Sequence, residues 1–106
     1  MPIIDTRELP VVDKKPGWHG RLFHSQNMTF AYWDFEAASS IHAHSHEQEE
    51  VWHILEGRLE ITIGGTREIA GPGMVAMVPP NTDHFVKALT DGKAIVADYP
   101  LRKDFR

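Results

Sequence analysis

The chain has 106 residues, of which 42% are hydrophobic and 25% charged, which is enough for one hydrophobic core and one soluble domain. Its formal net charge is −4 and its Lys and Arg residues are scattered, so it lacks the basic surface of most nucleic-acid binders and no nucleic acid is expected as a partner. The chain contains no cysteine, which excludes disulfides and thiolate ligands and leaves His, carboxylate and amide groups to bind any metal.

The N-terminal stretch comes first along the chain. Residues 1–15 lack the charged-then-apolar layout of a signal peptide, and no apolar run approaches the ~18 residues that span a bilayer. We therefore expect a cytoplasmic protein without a membrane partner. The apolar segment PIIDTRELPVV could add a strand to a second copy of the chain, so a homodimer is expected.

Short strands separated by turn signals are expected along the rest of the chain. Residues 28–35 are β-branched and aromatic, and residues 59–63 alternate apolar with polar side chains before Gly64-Gly65, a hairpin signal. Further turn signals are GPG, PPNT and TDGK. The predicted strands cover residues 28–35, 59–63, 66–70, 74–78, 83–89 and 94–99. This pattern predicts an all-β sandwich or small barrel.

The segment HAHSHEQEEVWHILEG, residues 42–57, allows two interpretations. Its Glu, Gln and Leu residues favour a helix that stops at Gly57. In an extended chain, however, His44, His46, Glu50 and Trp52 are separated by even numbers of residues and share one face. In a helix His44 would lie roughly 200° around from His46, at ~100° per residue. Only the extended form gathers three metal-ligand side chains, and the strand-rich surroundings favour it.

Two successive motifs along the chain resemble those of a known family. His44-x-His46-x3-Glu50-x6-Gly57 resembles the first cupin motif, and Gly73-x5-Pro79-x-Asn81-x2-His84 resembles the second, with Asn81 where cupins often have glycine. The chain is therefore identified as similar to the small single-domain metal-binding cupins. The resemblance implies an all-β, double-stranded β-helix (jelly roll) with one domain over residues 1–106. Its barrel core would cover about residues 28–99, after an N-terminal arm of residues 1–27.

The resemblance also implies one divalent transition metal, either Zn, Mn, Fe or Ni, bound by His44, His46, Glu50 and His84. Three neutral imidazoles and one carboxylate leave such an ion with about one positive charge and with open coordination positions. A centre of this kind attracts anionic or polarised oxygen atoms. We therefore expect a small-molecule anionic substrate and a metalloenzyme of isomerase, lyase or hydrolase type that acts on a small oxygen-rich acid.

Two other functions stay open. Three histidines and one glutamate also suit Fe(II), Mn(II) or Ni(II) in the acireductone and flavonol dioxygenase branches of the cupins, which predicts oxygen uptake. The chain could instead be a non-catalytic cupin that binds a small molecule such as a sugar. Absence of turnover with uronates, diketones and phenolic acids, together with ligand binding, would favour this last function.

Within the cupins, the chain resembles the uronate-linearising enzymes of pectin and alginate breakdown in its length, its HSH and PPNTDH motifs and its ending PLRKDF. This resemblance implies ring opening of unsaturated monouronates. Those enzymes typically have glutamine at the position of Glu50. Their catalytic aspartate is the first residue of a D-x-F motif shortly before this ending. When the two sequences are aligned from Pro100, that aspartate corresponds to Val96 and the phenylalanine of the motif corresponds to Asp98. Glu50 and Asp98 are the candidate catalytic residues. Asp98 could act as a general base only if a shift in the register of the last strand brought it within reach of the substrate proton.

Further side chains are candidates for the pocket. Trp52, Phe85, Phe30 and Tyr32 are expected to supply apolar walls, with plain core packing as the alternative. Arg21, Lys87 and Arg102 are candidates to hold a substrate carboxylate, with an exposed surface cation as the alternative. His42 could replace His44 as a ligand, but it is expected at the surface or the rim. His53 is expected to face away from the metal, while Gln48 is placed either at the cavity edge or in a solvated loop.

Overall fold

The computed structural model describes residues 3–103 and consists almost entirely of strands. A short 3-10 helix, Thr6–Glu8, precedes them. The ten strands are β1 (Val11–Lys15), β2 (Trp18–His24), β3 (Thr29–Phe35), β4 (Ser40–His44), β5 (Glu49–Glu56), β6 (Leu59–Ile63), β7 (Thr66–Ala70), β8 (Val75–Val78), β9 (His84–Ala88) and β10 (Gly92–Tyr99). All six of these predicted strands are present, β5 and the end of β4 lie in the ambiguous segment 42–57, and β1 and β2 are additional.

The strands form two antiparallel sheets. One sheet has six strands in the order β1-β2-β3-β10-β5-β8, and the other has four in the order β4-β9-β6-β7. Neighbours in each sheet are mostly distant in sequence, as in a jelly roll whose strands cross repeatedly between two packed sheets. The all-β, double-stranded β-helix prediction is confirmed. Between residues 3 and 103 no helix is long and apolar enough to cross a membrane.

The ambiguous segment 42–57 is extended, so the helical alternative is wrong. Its second half is β5, which lies between β10 and β8 in the six-stranded sheet. Burial alternates along it, with Glu50, Trp52 and Ile54 inside the sandwich and His53 exposed. Pairing on both edges and burial of one face outweigh the helix propensity of its Glu and Leu residues.

The N-terminal arm is built into the six-stranded sheet. Strand β2 pairs with β3 from Trp18 opposite Phe35 to His24 opposite Thr29, and β1 pairs with β2 at the sheet edge. Trp18 is fully buried. At Gly20 any Cβ would come within 2.5 Å of the Trp33 ring, so only glycine lets the two strands pack this closely. Residues before 28 therefore contribute to the hydrophobic core.

Aromatic rings dominate the core between the two sheets. The Trp18 ring meets Trp33 edge-on at a centroid distance of 5.8 Å, meets Trp52 in the same way at 6.0 Å and packs on Phe35 at 5.2 Å. Such edge-to-face pairs add to the stability gained from area burial. Because Trp33 and Trp52 also line the cavity described below, this cluster forms the rigid wall against which the polar site is built.

Candidate metal centre

Three histidines from two distant parts of the chain converge inside the sandwich. His44 ends β4, His84 begins β9, and the two residues are paired in register. Their ring centroids are 4.3 Å apart. His46, in the loop before β5, has its ring centroid 5.0 Å from that of His84. Ligand nitrogens of all three lie within 4.8 Å of one another, so the pairing of β4 with β9 brings the two sequence motifs together.

The hydrogen bonds of these rings fix which nitrogen faces the centre. The Nδ1 atom of His44 lies 2.9 Å from the His42 carbonyl oxygen, that of His84 lies 2.9 Å from the Thr82 oxygen, and that of His46 lies 3.2 Å from the Gln48 oxygen. A carbonyl oxygen only accepts, so each Nδ1 carries the proton and donates it. In the neutral rings each Nε2 atom therefore carries a lone pair that is available to a metal.

Glu50 on β5 brings a buried carboxylate to the same point. Its Oε1 lies 3.1 Å from His46 Nε2 and its Oε2 lies 3.3 Å from His84 Nε2, while Trp52 Nε1 donates to Oε2 at 2.6 Å. Burial acts to raise the pKa of Glu50, but the close contacts with His46, His84, Asp98 and Trp52 hold it well below its ordinary value. Glu50 is thus an anion inside the protein.

The chemistry of these atoms calls for a positive charge between them. Lone pairs of two imidazoles face the oxygens of a carboxylate, and only a proton or a metal ion makes that contact favourable. Burial acts to lower the pKa of His84, yet the Glu50 carboxylate outweighs it and raises that pKa. Burial lowers the pKa of His44, which keeps that ring neutral. Two overlapping groups could therefore hold a metal ion: His44, His46 and His84 form one, and His46, Glu50 and Asp98 form the other.

Asp98 adds a second carboxyl group beside Glu50. The two residues are opposite each other on β10 and β5, and Asp98 is 1% exposed. Neither of its carboxyl oxygens finds a hydrogen-bond partner of good geometry among the described residues. Burial and the neighbouring Glu50 carboxylate raise the pKa of Asp98 to about 9, so Asp98 is protonated at neutral pH. Asp98 faces the interior without any change in the register of β10, because Val96 and Asp98 are both buried on the inward face of that strand.

Arg102 reaches the same carboxyl pair from the segment after β10. Its backbone N–H donates to Thr29 Oγ1 at 2.9 Å, and Gln48 Nε2 donates to the Leu101 carbonyl at 3.2 Å. These bonds hold the segment across the site, and Arg102 Nη1 lies 3.6 Å from Glu50 Oε1 and 3.7 Å from Asp98 Oδ2. The last two residues of the PLRKDF ending, 104 and 105, lie outside the described residues.

A cavity of about 370 Å³ opens onto the histidine cluster. Trp33, Trp52, Ile41 and Val96 form its apolar walls. Glu50 and Arg102 line it in the interior, whereas His42 and Lys15 contribute to it from the edge strands β4 and β1. The cavity has the size and the mixture of apolar walls and few polar groups that are typical of small-molecule sites.

Other residues predicted for the pocket lie elsewhere. Phe85 and Lys87 follow His84 on β9, and because side chains alternate along a strand, an inward His84 puts Phe85 and Lys87 on the outer face. Arg21 donates from Nε to the Leu9 carbonyl at 3.0 Å and is also absent from the cavity lining. Phe30 and Tyr32 occupy the outer face of β3, whose inward residues are Thr29, Ala31, Trp33 and Phe35.

The structure also shows the positions of three polar residues near the histidine motif, His42, His53 and Gln48. His42 is exposed at the cavity edge, as the sequence predicts, and its Nδ1 lies 3.0 Å from Lys15 Nζ. His53 is exposed on β5 and points away from the centre. Gln48 is buried, where it supports the segment that carries Arg102.

Trp33 and Lys15 are among the cavity residues that are missing from the sequence prediction. The sequence does indicate an inward-facing Trp33, since Ala31, Trp33 and Phe35 form an apolar stripe with period two. Lys15 has no such signal. It enters the cavity lining only because the unpredicted strands β1 and β2 extend the sheet beside β3.

Comparisons with known proteins agree with this architecture. A crystal structure of an RmlC-like cupin from Shewanella frigidimarina NCIMB 400 matches with a TM-score of 0.92 and 20% identity, over 100% of this chain and 96% of that one. The structure of KdgF from Halomonas sp. matches with a TM-score of 0.90 and 22% identity, over 98% of this chain and 97% of that one. A variant of Bacillus subtilis oxalate decarboxylase matches with a TM-score of 0.84 and 16% identity, over 92% of this chain and 29% of that one.

At these identities the structural matches show the fold alone. No protein with a curated description matches the sequence significantly. The sequence profile of the Cupin domain family, in contrast, matches residues 31–99, which contain nine of the eleven residues that line the cavity. This match covers more than half of the chain, and the protein therefore belongs to the cupin domain family.

Proposed function

We propose that the protein is a small metalloenzyme that acts on an oxygen-rich organic acid by isomerase, lyase or hydrolase chemistry. The observation that carries this proposal is the convergence of His44, His46 and His84 beside the buried Glu50 carboxylate, which lies 3.1 Å from His46 Nε2 and 3.3 Å from His84 Nε2, next to a ligand-sized cavity. Ring opening of an unsaturated uronate is the specific reaction that the resemblance to uronate-linearising cupins suggests.

His44, His46, Glu50 and His84 would hold one divalent ion, which is Zn, Mn, Fe or Ni. A divalent ion bound there supplies Lewis-acid polarisation of a substrate carbonyl or carboxylate oxygen. Each histidine is held in place by its Nδ1 bond to a backbone carbonyl, and such supporting bonds orient metal ligands and raise their basicity. The protein thus supplies a preformed ligand set rather than one assembled by the ion.

Arg102 would bind carboxylate or other oxygen atoms of the substrate at the end that lies beside Glu50. Its guanidinium can bind a carboxylate through two parallel hydrogen bonds. Trp33 and Trp52 on the walls exclude water from the substrate, which strengthens every charge interaction inside. Among the described residues, the cavity is lined by several cationic or basic groups and by one carboxylate, Glu50, so an anionic ligand is favoured over a neutral one.

Asp98 acts as a positioning residue for Glu50 in this proposal. It is buried opposite Glu50 but does not line the cavity, so its carboxyl group touches no ligand there. As a protonated acid it can donate to Glu50, which limits the negative charge of the pair and keeps the Glu50 oxygens aimed at the centre. This arrangement differs from a direct catalytic role for Asp98, in which the carboxyl would have to reach the substrate.

Dioxygenase chemistry is the second candidate, because the same ligand set also suits Fe(II), Mn(II) and Ni(II). An assay of the metal-loaded protein separates the two. Unsaturated monouronates are supplied to one series of samples, and a diketone or enediol with an oxygen electrode to another. Uronate conversion without oxygen uptake supports the proposal, whereas oxygen uptake supports the dioxygenase. Ligand binding with no turnover in either series indicates a non-catalytic binding protein.

The matched control for this assay is a pair of histidine variants. His84→Ala removes a proposed ligand, while His53→Ala removes an exposed histidine of β5 that faces away from the centre. Activity that depends on the centre is lost in the first variant and kept in the second. Equal activity in both would exclude the histidine cluster as the active site.

We also propose that two copies of the chain associate through the N-terminal strand. Strand β1 is an edge strand of the six-stranded sheet, with β2 as its neighbour in the described part of the chain. An edge strand of this kind can pair with a second copy. Light scattering tests the proposal, since a dimer has twice the chain mass of 12.0 kDa and a monomeric mass refutes the dimer.

A further inference from the structure

The edge of the cavity is formed by two strands from different sheets. Strand β1 is at the edge of the six-stranded sheet and β4 at the edge of the four-stranded sheet. Lys15, the last residue of β1, and His42 on β4 both line the cavity. Lys15 Nζ lies 3.0 Å from His42 Nδ1, so a cation and an imidazole meet where the two sheets approach each other.

Hydrogen-bonding chemistry fixes the state of this pair. An ammonium group only donates, so His42 Nδ1 accepts from Lys15 and the neutral ring carries its proton on Nε2. The ammonium group has three N–H donors, of which His42 takes one. Between residues 3 and 103, no carboxylate forms an ion pair with Lys15, whereas Lys93 is paired with Asp34 at 2.7 Å. Lys15 and His42 therefore offer several donors and an uncompensated positive charge to a ligand.

We propose that Lys15 and His42 form a carboxylate-binding subsite for a ligand whose other end reaches the metal centre. This inference rests on the proposed function and narrows its substrate class. The ring centroids of His42 and His44 are 5.5 Å apart, and His44 is one of the proposed metal ligands. One imidazole ring thus separates the subsite from the centre, a distance that a short carbon chain spans.

The ligand class follows from these two binding points. One end carries a carboxylate that binds Lys15 and His42, and the other carries hydroxyl, carbonyl or carboxylate oxygens for the centre. Sugar acids and short dicarboxylates both have this form, and the cavity of about 370 Å³ accommodates either. A neutral sugar of the same size lacks the carboxylate and forgoes the charge-assisted bonds.

The test compares D-galacturonate with D-galactose, which share a pyranose ring and differ in the carboxylate. Dissociation constants are measured by calorimetry on the metal-loaded full chain, for the parent, Lys15→Met, Lys15→Arg and Lys87→Met. Lys87 is an exposed lysine on the outer face of β9, so Lys87→Met controls for the loss of one positive charge. Metal content and thermal unfolding are measured on the same samples to confirm that each variant is folded and loaded.

The parent is expected to bind D-galacturonate about tenfold or more tightly than D-galactose, since charge-assisted bonds contribute at this level. Lys15→Met should lose about tenfold in D-galacturonate affinity with D-galactose binding unchanged, while Lys15→Arg and Lys87→Met should resemble the parent. Equal affinities of Lys15→Met and the parent, or no preference for the acid in the parent, would overturn the subsite. A parent that retains no metal would instead overturn the proposed function, so the two failures are distinguishable.

Discussion

Glu50 and Asp98 lie opposite each other on β5 and β10, yet at neutral pH the Glu50 carboxyl group is ionised and the Asp98 carboxyl group is protonated. Glu50 accepts a hydrogen bond from Trp52 and faces two imidazoles, which hold its pKa well below the ordinary value despite burial. Asp98 is buried beside this anion, and its pKa rises to about 9. The pair therefore retains one proton, as expected when two carboxyl groups share a buried site.

The raised pKa of Asp98 predicts how the stability of the metal-free protein depends on pH. The folded state keeps the proton up to about pH 9, whereas the unfolded chain releases it near pH 3.8. Between these values the folded state binds more protons, so the contribution of Asp98 to stability is greatest below the unfolded pKa and is lost as pH rises towards 9. Asp98→Asn removes this titration and mimics the protonated acid.

The measurement is urea unfolding in the presence of a chelator at pH 5 and pH 8. Relative to Asp98→Asn, the parent should lose on the order of 4 kcal/mol between the two pH values, at about 1.4 kcal/mol for each pH unit. Asp34→Asn, which alters an exposed aspartate paired with Lys93, is the control and should follow the parent. If Asp98→Asn and the parent showed the same pH dependence, Asp98 would be ionised in the folded protein.

Glu50→Gln should weaken metal binding without removing it. The glutamine keeps an oxygen ligand and an acceptor for Trp52 Nε1, which donates to Glu50 at 2.6 Å, but it removes the negative charge. We expect a loss of about 10- to 100-fold in metal affinity, as for other changes around metal ligands. Glu50→Ala should lose more, because it also leaves the buried Trp52 N–H without an acceptor.

Competition with a chromophoric chelator measures these affinities. Glu49→Gln is the matched control, because Glu49 is an exposed neighbour on β5 and its substitution changes the net charge by the same amount. An unchanged affinity in Glu50→Gln would mean that Glu50 is not a ligand.

Gly20→Ala tests the contact between β2 and the aromatic wall. The added Cβ would lie 2.5 Å from the Trp33 ring, so the ring or the strand has to move. Overpacking of this kind costs about 1–3 kcal/mol. Gly71→Ala is the control, because its Cβ would meet only Arg58 Cγ, at 3.8 Å. Chemical denaturation gives both values, and equal stabilities would show that Trp33 has room to shift.

The metal-ligand candidates could be predicted from the sequence because their signal is local. The spacing of His44, His46 and Glu50 and the turn before His84 are visible as two motifs, and β5 follows from its strand-rich surroundings. The strand alternation that puts His84 inside also puts Phe85 and Lys87 outside. The outward positions of Phe85 and Lys87 could therefore have been predicted, since all three residues lie on one strand with period two.

Other parts of the site depend on contacts between distant segments. Lys15 reaches the cavity because β1 and β4 are edge strands of opposite sheets, and no pattern in residues 11–15 indicates this. The charge state of Asp98 likewise depends on the pairing of β10 with β5 and on burial. Properties of this kind belong to the folded chain rather than to a local segment.

The central claim is that two motifs on β4 to β5 and on β9 bind one metal ion together. Elemental analysis of the purified protein without a histidine tag tests it most directly, with His84→Ala and His53→Ala measured alongside. We predict about one divalent ion per chain in the parent and in His53→Ala, and a clear loss in His84→Ala, since His84 supplies one of three converging nitrogens. A parent that takes up no Zn, Mn, Fe or Ni, or a His84→Ala variant that keeps its ion, would contradict the account.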